Sequence, residues 1–174
     1  MLHADRMYDY LVLARGRVLD RVRTLAADDY TRVFPIGLGS LARTLTHVMM
    51  SEWYYAQRMI DAEVPSYEHW VFNDERPPAF EVLEAHWRKV AEQTRAAVQR
   101  VTDDGAWDRP QEYRYTNDEG VRMVSTATPA DQFTQLFQHE VHHRAQAVNM
   151  LKHLGHTLGD LDFNHLMFAR RKDL

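Results

Sequence analysis

The chain contains no cysteine. Disulfides, thiolate metal sites and a cysteine nucleophile are therefore excluded, and a reducing cytoplasm is the simplest setting. There is no surplus of positive charge: 21 Lys and Arg stand against 25 Asp and Glu, a formal net charge of −4. With no basic stripe either, nucleic acid is not an expected partner. No apolar run is long enough to span a bilayer, so no membrane partner is expected. The opening segment, MLHADRMYDYLVLARGR, scatters its charges and lacks an apolar h-region, so no signal peptide is expected. Long alternating strands, internal repeats and low-complexity tracts are absent too.

The 174 residues are 45% apolar and 26% charged, which fits one ordinary globular domain over 1–174. Apolar residues recur at three- and four-residue spacing in four segments. The first runs from about Ala4 to Ala26 through Met7, Leu11, Ala14, Val18, Val22 and Leu25. Asp28-Asp29, Pro35, Gly37 and Gly39 break it. The second opens near Leu38 to Ser40 and closes near Asp61; the third covers about Ala79 to Thr102. The fourth opens on Thr128-Pro129, a cap residue before a first-turn proline, and stops at Gly155. Between the second and third lies a Pro- and Trp-bearing loop from Ala62 to Pro78. Within 103–127, YRYTNDEGVRMVS reads as a short hairpin around Asn117, Asp118, Glu119 and Gly120. In the tail, Asp162 to Phe168 adds a turn or two. These spacings predict an all-α four-helix bundle with long crossover connections.

Residues 139–143 read HEVHH. On a helix His139 and His143 lie one above the other and can share a metal ion. They fall in a row with Leu136, Ala147, Met150 and Leu154, where two imidazoles need partners for their ring nitrogens. His142 points elsewhere, with Gln135, Gln138 and Asn149. The H-E-x-x-H pattern is that of zinc proteases, but the continuation does not fit one. Gln146 and Asn149 stand where one protease class needs glycine and a third histidine, and no glutamate follows His143. The best third ligand is His47, mid-way along the second helix, although it lies at the flank of that helix's apolar arc.

Other residues are candidates for roles beside the metal. Glu140 holds the position of the protease general base; its alternative is a helix-surface carboxylate. Tyr54 shares a face with His47 and could line a pocket or donate a proton. Trp53, Trp70 and Tyr113 are candidate walls, with ordinary core packing as the alternative. Gln146 either orients a ligand or occupies a polar edge. Glu52 and Arg144 each fall within an apolar arc and are expected to pair, since a buried charge must find a partner.

The stretches LTHVMMSEWYY and HEVHHRAQAVNMLKHLG, in this order on four helices, resemble the DinB/YfiT-like superfamily. Ala145 departs from the HHRGQ often found there and removes no ligand. The resemblance implies a four-helix bundle, frequently a homodimer, with a divalent metal (Zn or Ni) on His47, His139 and His143. It also implies a small-molecule substrate, with reactions ranging from thiol-dependent transfer or isomerisation using a low-molecular-weight thiol to metal-dependent hydrolysis. A non-catalytic metal- or small-ligand-binding protein on the same scaffold is the alternative. The wide apolar face of the fourth helix also suggests a homodimer.

Overall fold

The computed structural model describes residues 3–117 and 119–171. Asp118, expected at the hairpin tip, and the last three residues of the tail lie outside them. The four long helices are present: α1 (Ala4–Val22), α3 (Leu41–Met59), α4 (Phe80–Asp103) and α5 (Pro129–His153). Two short helices join them, α2 (Ala27–Thr31) and α6 (Phe163–Met167). α2 lies where Asp28-Asp29 were expected only to break the first helix. α1 ends at Val22, and the Asp28-Asp29 pair opens a helical turn of its own, acids being favourable at a helix N-terminus.

The helix ends follow their local chemistry. Ser40 accepts a hydrogen bond from the Arg43 amide and caps α3. Thr128 and Asp131 form a reciprocal capping box at the start of α5, just ahead of Pro129. Gly155, at φ +82°, follows α5 in the left-handed region that a side chain would disfavour. The expected hairpin is β1 (Gln111–Thr116) paired antiparallel with β2 (Arg122–Ala127), in register Gln111↔Ala127 to Thr116↔Arg122.

α1 packs on α4 and α5, and α3 packs on the same two. Leu41 and Phe80, from the two helix starts, share one core cluster, and Met59 and Val98, from toward the two helix ends, share the other, so α3 and α4 run parallel. Connection 60–79 must therefore climb back along the bundle, and it is the crossover. It contains one 3₁₀ turn, Tyr67–His69. Segment 104–128, with its hairpin, leaves and re-enters at a single end.

The core has two apolar halves. One gathers Val18, Leu41, Met49, Leu83, Val90 and Leu151; the other gathers Tyr8, Leu11, Met59, Val98, Phe133 and Leu136. Between them lies a layer of buried polar groups: Arg15, Glu52, Thr94, Glu140 and Arg144. The expected Glu52–Arg144 pair does not form. Glu52 accepts hydrogen bonds from Arg15, Tyr8, Trp87 Nε1 (2.6 Å) and Thr94 (3.1 Å). Arg144 donates to the Tyr10 hydroxyl at 2.6 Å and lies 3.8 Å from Glu140. Arg15 stands between the two carboxylates, 3.5 Å from Glu140 on its other side. Its place follows from spacing, because Arg15 interrupts the α1 stripe Tyr8, Leu11, Val18, Val22.

Candidate metal centre

α3 and α5 run antiparallel, which brings the middle of each to one level. His47 from α3 meets His139 and His143 from α5 there. One ring nitrogen from each imidazole lies within 4.8 Å of the other two, and all three residues are half-buried. His47 Nε2 and His139 Nε2 are 3.0 Å apart. Tetrahedral nitrogens at ~2.0–2.1 Å from a zinc ion sit about 3.3 Å from one another, so this group is close to what such an ion needs.

Two of the rings are held by their other nitrogen. His47 Nδ1 donates to Asp74 Oδ2 at 2.8 Å. Asp74 is itself fixed, since the Tyr67 hydroxyl donates to its other oxygen at 3.0 Å and Arg43 Nε donates to its backbone carbonyl at 3.1 Å. His143 Nδ1 donates to Gln146 Oε1 at 2.9 Å, and Gln146 Nε2 donates to His142 Nε2 at 2.9 Å. Both arrangements leave Nε2 with a free lone pair facing its neighbours, the tautomer a metal ligand requires. Gly37, at φ +48°, is what lets Gln146 lie there: a Cβ on it would come within 2.2 Å of the amide oxygen.

Burial, aided by the neighbouring imidazoles His143 and His47, pushes His139 down to about 3. Burial also lowers His143, against the opposing pull of its bond to Gln146. Both rings are thus neutral at pH 7. A cluster of neutral nitrogen donors, with hydrogen-bond acceptors behind the rings, fits a divalent ion of the zinc or nickel type.

Glu140 is not part of this cluster, which corrects its candidacy as the base. At about 100° per residue it is turned well away from His139, toward the centre of the α5 core face. Its carboxyl is 3% exposed and faces Arg15 and Arg144. Burial pushes it up to about 7, with Glu52 adding to the rise and the two arginines opposing it. Tyr54 packs on Trp70 (5.6 Å, stacked), on Tyr55 (5.1 Å) and under Arg58 (5.1 Å). The tyrosine ring against the trio is Tyr55, 6.5 Å from His139. The Arg58 guanidinium also lies over the Tyr113 ring of β1, 4.7 Å from its centroid. Of its two readings, Gln146 takes the orienting one, through its bond to His143. Asp74, Tyr67 and Gly37 carried no signal in the sequence, because each lies in a loop with no spacing that ties it to a histidine.

A bundle with one crossover and a half-open trio of histidines across α3 and α5 defines a class of helical proteins able to hold a metal ion. The chain belongs to the DinB family, whose sequence model matches residues 1–173. The crystal structure of a DinB-like protein from Bacillus subtilis, YjoA, is similar with a TM-score of 0.63 at 16% identity. The match covers 89% of this chain and 96% of that one, and at such identity it speaks for the fold alone. No curated protein matches the sequence. No helix among the described residues is long and apolar enough to cross a membrane.

Proposed function

We infer that this protein is a metal-dependent enzyme that joins a low-molecular-weight thiol to a small electrophilic molecule. The observation that carries this is the trio itself: three converging imidazoles, two aimed by Asp74 and Gln146, with His47 still 30% exposed. His47, His139 and His143 would hold Zn²⁺ or Ni²⁺, and that ion would supply Lewis acidity that lowers the pKa of a thiol or water brought to it.

Thiol transfer is favoured over hydrolysis by what the chain withholds. A hydrolase of the H-E-x-x-H kind needs a glutamate base beside its water. Here Glu140 is buried facing Arg15 and Arg144, away from the trio, and Asp74 is bonded to His47 and Tyr67. A thiol, with an ordinary pKa near ~8.5, needs far less help to ionise than water does. The chain has no cysteine to supply the sulfur, so the thiol comes from outside. In the overall reaction the sulfur bonds to the electrophilic carbon, the leaving group departs with its electron pair, and the thiol proton passes to solvent. Tyr55, and behind it Tyr54, would form the apolar wall along which the electrophile lies. Such thiols are abundant in a reducing interior, which agrees with a cytoplasmic setting.

A homodimer is part of this reading, and exposed apolar side chains on the hairpin support it. The outer aromatics and valines of α5 are half-buried within the bundle, whereas Tyr115, Met123 and Val124 of the hairpin are exposed. The mass in solution at micromolar concentration tests this, and a monomer would refute it.

The first experiment is metal content per chain on untagged protein, alongside a His139→Ala/His143→Ala double variant. About one Zn or Ni per chain, lost in the variant, is expected. Turnover of 1-chloro-2,4-dinitrobenzene with a panel of small thiols should then require that metal. It should also survive Glu140→Gln within a few-fold, whereas loss of a general base costs roughly 10²–10⁴. Wild-type protein that takes up no metal, or metal-loaded protein inert toward every thiol and electrophile tested, would leave a non-catalytic binding protein instead.

A further inference from the structure

A second site lies on the other side of α3, and none of the three histidines lines it. The parallel pair α3 and α4 leaves a groove, and the crossover roofs it. Beneath the roof is a cavity of about 290 Å³, lined by Met49, Met50 and Trp53 from α3, Val90 from α4, and Trp70 and Phe72 from the crossover. That volume is at the small end of ligand pockets, which begin at about 300 Å³, so the occupant is no larger than a two-ring molecule.

The walls are aromatic and internally satisfied. Trp70 donates its indole N–H to the Pro65 carbonyl at 3.0 Å, so the ring offers the cavity only apolar surface. Trp53 stands edge-on to Trp70 at 5.1 Å, and Phe72 stands edge-on to His86 at 4.6 Å. Rings placed edge and face around a gap suit a planar guest.

The polar rim has one sign. Lys89, His86, His69 and Gln93 border the cavity, and no carboxylate lines it. His69 is occupied by Ser66 Oγ at 2.8 Å, with Glu68 at 4.0 Å. His86 is lowered by burial and by Lys89, so it is neutral at pH 7. On α4 the neighbouring arginine, Arg88, is near Glu84 (3.9 Å), whereas Lys89 has no carboxylate within salt-bridge reach among the described residues. Among the described residues Lys89 is therefore an unpaired cation at the mouth of an aromatic cavity.

The geometry points to a binding site for a small planar aromatic anion, its ring between Trp53, Trp70 and Phe72 and its acid group toward Lys89. This site stands apart from the imidazole trio and does not depend on the enzyme reading.

The probe is naphthalene-2-sulfonate, titrated into the full-length protein and followed by calorimetry and by tryptophan fluorescence. One molecule per chain is expected, with a Kd below about 1 mM. The cation of the same ring system, 2-naphthylmethylammonium, should bind at least tenfold more weakly. Lys89→Glu should weaken sulfonate binding at least fivefold, and Gln93→Trp, which fills the mouth, should abolish it. Both residues are exposed on α4, and unchanged melting of the variants will show that they fold. His139→Ala/His143→Ala should bind the sulfonate as wild type does. Absence of saturable binding, equal binding of the ammonium compound, indifference to either α4 variant, or loss of binding in the histidine variant would each overturn the assignment.

Discussion

Asp74→Ala is the substitution that most directly tests how the trio is built. Its carboxylate holds the His47 ring through the 2.8 Å bond to Nδ1, fixing the tautomer that leaves Nε2 free. Removing a partner of that kind costs a metal site roughly tenfold to a hundredfold in affinity, or about 1.4–2.7 kcal/mol. Asp74 also anchors the crossover through Tyr67 and Arg43, so part of any loss could come from the loop. Tyr67→Phe separates the two effects: it deletes the 3.0 Å hydroxyl bond and leaves the carboxylate on His47. The assay is competition for Zn²⁺ against a chromogenic chelator, with thermal melting of the metal-free proteins beside it. The expected order is wild type, then Tyr67→Phe within about threefold, then Asp74→Ala at least tenfold weaker, then His47→Ala weakest. Wild-type affinity in Asp74→Ala would refute the claim that this carboxylate tunes the site. An equal loss in Tyr67→Phe would assign the effect to the loop.

Gly37→Ala should act on the other side of the trio. Its Cβ would displace the Gln146 amide, and the left-handed φ adds a cost of roughly 1–2 kcal/mol; Zn²⁺ affinity should fall with stability, and unchanged affinity would show that Gln146 does not position His143. Arg15→Met leaves Glu52 and Glu140 buried with only Arg144 for charge balance, and should cost about 3–5 kcal/mol in urea unfolding. For a chain of this length that lowers the melting temperature by roughly 6–20 °C; a loss below 1 kcal/mol would mean the polar layer is not held by Arg15. The pH dependence follows from His139. Its folded pKa, about 3, lies below the unfolded value near ~6.5, so the unfolded chain binds the extra proton. Metal-free protein should lose stability as pH falls from 6.5 toward 3, and His139→Phe should flatten that slope; equal slopes in EDTA would contradict the lowered pKa.

Local signals were enough to place the four long helices. Their apolar periods, the Thr128 cap and the Gly155 stop are short-range physics, readable along a few turns of chain. The i,i+4 relation of His139 and His143 is equally local, since the helix itself sets it. His47 could be nominated from the residues, and its meeting with the pair needed only two antiparallel helices at matching heights. Other features depended on which helices became neighbours. Glu52 and Arg144 were both legible as buried charges, yet their partners turned on Arg15 arriving from α1 to stand between the two carboxylates. Glu140 shares a motif with the ligands, but helix phase aims it at the core while the imidazoles face α3. Asp74, Tyr67 and Gly37 reach the site from loops whose paths no periodicity encodes. Spacing along one helix determines which side chains share a face; packing between helices, and the course of the crossover over them, decides what each face meets.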